Sequence, residues 1–243
     1  MRNLKDTAQN QDLKRLVGVA AAGYIEDGMV CGIGTGSTVA FLIEELGRRC
    51  REEGLRIIGT PTSFQSKILC QTHGIPTRDI QDCAVLDIAI DGADEVDPRL
   101  NVIKGGGAAQ TREKIVAAMA RKFIVIVDES KLSDRLGRKF PVPIEILPSS
   151  LNYVSGVIQE LGGRPELRMA LRKDGPVITD NSQFIIDARF DPDKWDLKAI
   201  DAQLHQTPGV VETGLFYDYT SLVLVGQAGD MTVGKMTKEK IDN

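Results

Sequence analysis

Val85-Leu86-Asp87-Ile88-Ala89-Ile90-Asp91-Gly92-Ala93-Asp94 is the stretch on which the fold turns. Its first six residues are almost unbroken apolar chain, the pattern of a strand covered on both faces, and Asp91-Gly92 supplies a turn at its end. Working outward, the same rhythm recurs on either side. Leu13, Leu16, Val17, Ala20, Ala21 and Tyr24 follow the 3.6-residue period of a first helix that stops near Gly28. Met29-Val30-Cys31 reads as a strand running into Gly32-Ile33-Gly34-Thr35-Gly36-Ser37-Thr38, and residues 39–46 as a helix closed by Gly47. Residues 56–60 are predicted as a strand, 63–72 as a helix, 85–91 as a strand, 113–121 as a helix and 123–127 as a strand. Strands alternating with helices define an α/β chain with a doubly wound, mostly parallel sheet.

Near Pro141-Val142-Pro143 the rhythm changes. Residues 143–213 read as strand, helix (150–161), strand (166–171), strand (184–188), helix (195–205), strand, the β-α-β-β-α-β order of a ferredoxin-like α+β unit. Gly162-Gly163 and Asp180-Asn181-Ser182 supply turns, and residues 177–179 suggest a short extra strand. The apolar residues 221–225 then rejoin the large sheet. The predicted organisation is a main body of residues 1–140 and 214–243 with a smaller domain, 141–213, inserted.

The bulk numbers exclude several classes. A chain of 243 residues, 42% hydrophobic, buries a full core and is not disordered. Its 30 basic and 34 acidic residues are mixed along the chain with a net charge of -4, which gives no basic face for nucleic acid. Cys31, Cys50, Cys70 and Cys83 form no C-x-x-C pair, so neither a zinc site nor a redox motif is suggested. The first apolar stretch, residues 17–25, follows Asp6 and Asp12 and is too short for a membrane or export segment. The chain reads as soluble and cytoplasmic. With only His73 and His205, acid–base work falls on carboxylates or lysine.

The chemistry-bearing residues lie where such sheets bind ligands, outside the carboxyl ends of the strands. Gly32 and Gly34 are followed by Ser37 where a dinucleotide loop needs a third glycine, and the second strand ends in Gly59-Thr60-Pro61-Thr62-Ser63 without an acid for a ribose hydroxyl. A nicotinamide dehydrogenase is thereby disfavoured. What survives is an anion site, Thr35, Gly36, Ser37 and Thr38 offering backbone N–H groups and hydroxyls at a helix N-terminus. Its plain alternative is a glycine turn with Ser37 or Thr38 as a helix cap.

Asp91 and Asp94, flanking Gly92 and Ala93, are strand-end acids; aspartates beside glycine are also ordinary turn formers. A divalent cation on Asp91, Asp94 and Asp97 is a weaker reading, because the spacing lacks the EF-hand pattern, Lys104 would compete and that stretch offers no histidine. Lys104 precedes Gly105, Gly106 and Gly107, a run that lets backbone amides approach a ligand closely. Glu113 stands at the opening of a helix, as a base or as a capping partner. Lys131, at the tip of a further strand, is a candidate phosphate partner or a solvated surface lysine.

In these residues the chain resembles the type A ribose-5-phosphate isomerase family. The likeness rests on Gly32-Ile-Gly-Thr-Gly-Ser-Thr38, Asp91-Gly-Ala-Asp94-Glu95, Lys104-Gly-Gly-Gly-Ala-Ala109 with Thr111-Arg112-Glu113-Lys114-Ile115, and Gly162-Gly163-Arg164-Pro165, four motifs in the family's order. The resemblance implies a Rossmann-like domain with a ferredoxin-like insertion and no cofactor. It also implies an oligomer, a homodimer or homotetramer, acting on a pentose phosphate.

By that likeness Glu113 is the proton-transferring base, and Asp91, Asp94 and Lys104 are the catalytic group contacting the sugar. Thr35 to Thr38 with Lys131 are the phosphate and substrate contacts, and Lys14 matches a further phosphate-side lysine. Pro61-Thr62-Ser63-Phe64-Gln65 varies within the family and is placed away from the acid–base set. The competing functional reading is a non-catalytic sugar-phosphate-sensing domain. It calls for an attached DNA-binding helix pair, for which residues 1–12 look too short, and has no use for Glu113.

Overall fold

The apolar runs become strands because each is long enough to cross a sheet and too hydrophobic to face water on either side. In the computed structural model, which describes residues 8–238, the chain first forms α1 (Ala8–Ala22), β1 (Val30–Ile33), α2 (Ser37–Glu52), β2 (Ile58–Pro61), α3 (Phe64–Thr72) and β3 (Ile88–Asp91). Two short strands follow, β4 (Glu95–Val96) and β5 (Val102–Ile103), then α4 (Gln110–Met119) and β6 (Phe123–Asp128). The next run is β7 (Val142–Ile146), α5 (Leu151–Glu160), β8 (Arg164–Leu167), β9 (Phe184–Arg189), α6 (Leu197–Leu204) and β10 (Val210–Thr213). The chain closes with β11 (Leu215–Phe216), β12 (Leu222–Gln227) and β13 (Thr232–Met236). The terminal residues 1–7 and 239–243, assigned from sequence to the main body, lie outside the described residues.

The large sheet has the order β13-β12-β6-β3-β1-β2 and is parallel except for β13. This is a Rossmann-like, doubly wound arrangement whose strand order reverses between β1 and β3, the crevice where such sheets bind ligands. Successive side chains leave a strand on opposite faces. Accordingly Ile124 and Ile126 of β6 join the core with α1 and α2, whereas Phe123, Val125 and Val127 join the core with α4.

The smaller sheet, β10-β7-β9-β8, is antiparallel throughout. Numbered within the unit, its order is fourth, first, third, second, as in ferredoxin-like folds. Ile144, Ile146 and Ile186 pack against Val154 and Ile158 of α5 and Leu197, Ile200 and Leu204 of α6. Between the two sheets lies a third, β11-β5-β4, which leads directly into Lys104.

Several local expectations are corrected. Gly47 does not end α2; it sits inside the helix because a Cβ there would come within 2.6 Å of the His73 Cβ, so a close helix contact is the reason for the glycine. β3 begins only at Ile88, since Val85 is exposed and Leu86 makes a lone bridge to Ala120. Residues 177–179 form no strand: one bridge joins Met169 to Pro176, and proline has no N–H with which to extend a ladder. β8 covers 164–167 rather than 166–171. The two-residue strands β4, β5 and β11 are too short to show a period in sequence, and Gly234 obscures β13.

Candidate active site

β1 and β3 deliver the two halves of the site to the switch point. β1 ends in a turn that only small residues allow: a Cβ on Gly34 would lie 2.1 Å from the Asp91 carboxylate, and Gly36 has φ +115, in the left-handed region favouring glycine. Gly36 is the N-cap of α2, and no side chain caps the helix. The capping alternative for Ser37 and Thr38 therefore fails, leaving the N–H groups of the first turn to a ligand. The Thr35 hydroxyl lies 2.8 Å from Thr62 Oγ1 and donates to Ser63 Oγ at 2.7 Å, which fixes the turn sideways.

At the end of β3, Asp91 Oδ1 accepts the N–H groups of Thr35 (3.0 Å) and Gly92 (2.7 Å). Asp91 Oδ2 lies 3.0 Å from Lys104 Nζ. The same ammonium is 3.2 Å from Glu113 Oε2 and donates to the Gly92 carbonyl. Asp91 is thus both a turn former and a member of an ion-paired trio. Lys104 is 3% exposed, Asp91 3% and Glu113 4%, so one positive charge sits between two carboxylates almost out of reach of water.

The carboxylates are not equivalent. Asp91 has two backbone donors besides Lys104, whereas Glu113 Oε2 is buried without a hydrogen bond, its contact with Lys104 having the distance of an ion pair but not the alignment of a bond. Burial, then the neighbouring Asp91, pushes Glu113 up to about 8, against the pull of Lys104. Burial also raises Asp91, with Lys104 and the two amides opposing it. Burial works against the Lys104 ammonium, but Asp91 and Glu113 together outweigh it and hold the proton on lysine. Of the two acids, Glu113 has the fewer donors to support its charge.

Glu113 stands in the first turn of α4, where the helix dipole favours negative charge. It does not serve as a cap; the N-cap, Ala109, makes no side-chain cap bond. Asp94 is partly exposed, and its Oδ2 accepts the Gly106 N–H at 2.7 Å. A Cβ on Gly106 would lie 2.6 Å from Asp94 Oδ1, so only glycine lets the backbone come this close to that carboxylate.

A cleft of about 300 Å³ gathers nearly all the predicted site residues. Thr35, Gly36, Ser37 and Thr38 line one end; Gly92, Ala93, Asp94, Lys104, Gly105, Gly106, Gly107 and Glu113 line the other; Lys14 and Lys131 border it. Asp91 lies beneath, behind Lys104. Sequence reasoning missed Asn10, Gln65, Asp128 and Ser130, which also line the cleft. It set residues 61–65 away from the acid–base set and gave them no role in the site, yet Gln65 lines the cleft and Thr62 and Ser63 brace Thr35. Their position at the carboxyl end of β2 was the available signal. A larger hollow, about 740 Å³, lies elsewhere, between Asp97, Arg135, Trp195 and Tyr217. Its lining mixes charges of both signs and contains none of the buried trio, so the smaller cleft is the candidate site. Among the described residues no group of three or more His, Cys, Asp or Glu is placed to hold a metal ion, and no helix is long and apolar enough to cross a membrane.

Fold and site together define a class: a doubly wound α/β protein whose crevice has a desolvated carboxylate–ammonium–carboxylate trio at one end and an uncapped helix N-terminus at the other. The chain belongs to the ribose 5-phosphate isomerase A (phosphoriboisomerase A) family, whose sequence model matches residues 58–230. It is 51% identical over 228 residues to the ribose-5-phosphate isomerase A of Thermosynechococcus vestitus, covering 93% of this chain and 96% of that one. It also resembles the ribose 5-phosphate isomerase A structure from Methanocaldococcus jannaschii, with TM-score 0.89, 45% identity and coverage of 94% and 100%. A D-ribose-5-phosphate isomerase solved in complex with phospho-erythronic acid superposes with TM-score 0.89 at 44% identity, covering 93% and 98%.

Proposed function

We propose that this chain interconverts D-ribose 5-phosphate and D-ribulose 5-phosphate through an enediolate, in the non-oxidative branch of the pentose phosphate pathway. The observation that carries the reading is Lys104 held between Asp91 and Glu113 in a dry crevice. A base acts best when its pKa lies near the working pH, and burial moves Glu113 from the ordinary carboxylate range to about 8. Family membership and the relative bound to a four-carbon sugar-acid phosphate support the same substrate class.

In this reading Asp91, Asp94 and Lys104 move protons between the C1 hydroxyl and the ring oxygen to open the furanose. Glu113 takes the proton from C2 of the aldehyde and returns it to C1, while the hydroxyl proton passes from O2 to O1. Lys104 and the amides of Gly105 to Gly107 face the negative charge that develops on the enediolate, a contribution of about 3 kcal/mol per donor in comparable sites. The phosphate rests on the N–H groups and hydroxyls of Thr35 to Thr38 with Lys131 and Lys14, which keeps the sugar in register for the transfer. The sensor alternative leaves a buried Glu113, its Oε2 without a hydrogen bond, with no purpose.

The same reading divides the chain into a catalytic body, 1–140 and 214–243, and an inserted domain, 141–213. It also implies a cytoplasmic homodimer or homotetramer. Exposed apolar side chains such as Phe64, Ile68 and Leu171 are consistent with a self-associating surface, and light scattering would give the mass. The decisive assay incubates metal-stripped protein with ribose 5-phosphate in deuterated water. Ketose carrying solvent deuterium on carbon supports the enediolate route; label-free ketose favours hydride migration, and no ketose ends the proposal.

A further inference from the structure

The glycine-rich loop is gripped from outside the cleft by the smaller sheet. Arg168, which follows β8, forms a two-pronged pair with Asp187 of β9: Nε donates to Asp187 Oδ2 at 2.8 Å, and the terminal Nη2 donates to Oδ1. Its remaining nitrogen donates to the Gly105 carbonyl at 2.7 Å. Both side chains are largely buried, 14% and 21% exposed. The carbonyl of Gly105 and the N–H of Gly106 belong to one peptide group, and that N–H donates to Asp94 Oδ2 at 2.7 Å. A continuous line therefore runs from Asp187 through Arg168 and one peptide plane to Asp94, in the cleft.

We propose that Arg168, clamped by Asp187, is a positioning residue that orients the Gly105–Gly106 peptide and through it aims Asp94 at the substrate. Three physical points support it. Glycine has little intrinsic preference about its peptide orientation, and Gly105, at φ +109, sits where the plane turns over easily without an external hold. A guanidinium on the carbonyl polarises the peptide and strengthens the N–H bond on its far side. The fork geometry against Asp187 fixes where the third donor points, which a lysine ammonium does not reproduce. The inserted sheet thereby takes part in the chemistry without touching the substrate.

The inference rests on the isomerase reading of this cleft, and its test separates the two. Wild-type protein that forms no ribulose 5-phosphate from ribose 5-phosphate refutes that reading; the remaining outcomes concern Arg168 in an active wild type. Arg168→Met keeps the volume and removes the donors. It is expected to lower kcat by about 10- to 100-fold, as misplaced groups do, with KM within about threefold. Arg168→Lys recovers part of the loss, and Asp187→Asn shows a smaller loss of the same kind. Added to Asp94→Asn, Arg168→Met costs little more, because the residues act in series. A kcat within about twofold of wild type, or losses that multiply fully in the double variant, would overturn the proposal. Should Arg168→Met fail to fold, Asp187→Asn reads the same quantity by the same limits.

Discussion

The two ends of the cleft are built differently. The anion end, Thr35 to Thr38, is held by the large sheet alone: Asp91 takes the Thr35 N–H, and Thr62 and Ser63 hold its hydroxyl. The acid–base end leans on the smaller sheet. Glu145 of β7 accepts from Thr111 and Thr179, Asn181 and the Asp180 carbonyl take Arg112, Glu212 of β10 pairs with Lys114 at 2.7 Å, and Arg168 holds Gly105. Of the side chains flanking Glu113 on α4, Thr111 and Lys114 are thus bolted to strands of the smaller sheet and Arg112 to the loop between β8 and β9. A phosphate needs only aimed backbone and positive charge, whereas proton transfer needs a carboxylate fixed to fractions of an ångström. The inserted sheet supplies that rigidity.

Substitutions at the two ends should therefore fail in different ways. The largest effect belongs to Glu113→Gln: kcat falls about 10²- to 10⁴-fold, the range of a lost general base, with ribose 5-phosphate affinity nearly intact by calorimetry. Turnover that survives would reassign the base. Lys104→Ala lowers kcat about 10²- to 10³-fold, more than it weakens binding, because it removes a donor to the developing oxyanion. An unchanged kcat would reduce Lys104 to a loop residue. At the other end, Lys131→Ala raises KM about tenfold, the worth of one charged hydrogen bond, while kcat stays within about threefold. A collapse of kcat there would erase the contrast between the ends.

The smallest expected effects concern stability. Thr111→Val strips a donor from buried Glu145 and costs about 1–3 kcal/mol in urea unfolding. Glu113→Gln acts oppositely. Below 4.5 its carboxyl is protonated folded or unfolded; between 4.5 and about 8 the folded protein keeps a proton that the unfolded chain releases, so wild-type stability falls as pH rises across that window. The glutamine variant lacks this fall and should gain about 0.5–2 kcal/mol above pH 8. Identical pH–stability curves for the two proteins would mean that Glu113 is not desolvated.

Legibility in sequence followed the same division. Strands β3 and β6 were readable because a strand covered on both faces is written as consecutive apolar residues, and the ferredoxin-like order followed from helix and strand periods. The anion end was local, seven residues around Gly34 and Gly36. Lys104 and Glu113 stood out beside glycines and a helix start, with the family resemblance tying them together. What sequence could not show were the braces. Glu145 lies 34 residues from Thr111, and Glu212 lies 98 from Lys114, so no spacing rule connects them. Glu95 carries no signal of its own in sequence, yet its buried carboxylate accepts four backbone N–H groups, from Gly137 to Phe140. A tertiary partner of this kind has no local signature. Gln65 is missed differently: it opens α3 just beyond the carboxyl end of β2, and that position, not family variation, is the signal.

The central claim is that Glu113 is a desolvated base beside Lys104, and its own titration tests that most directly. Carbon-13 NMR of protein labelled at the glutamate carboxyls, with Glu113→Gln to assign the resonance, follows one group across the pH range. A signal titrating near 8 is the result predicted here. A midpoint near the ordinary 4.5 would place Glu113 in water and contradict the account.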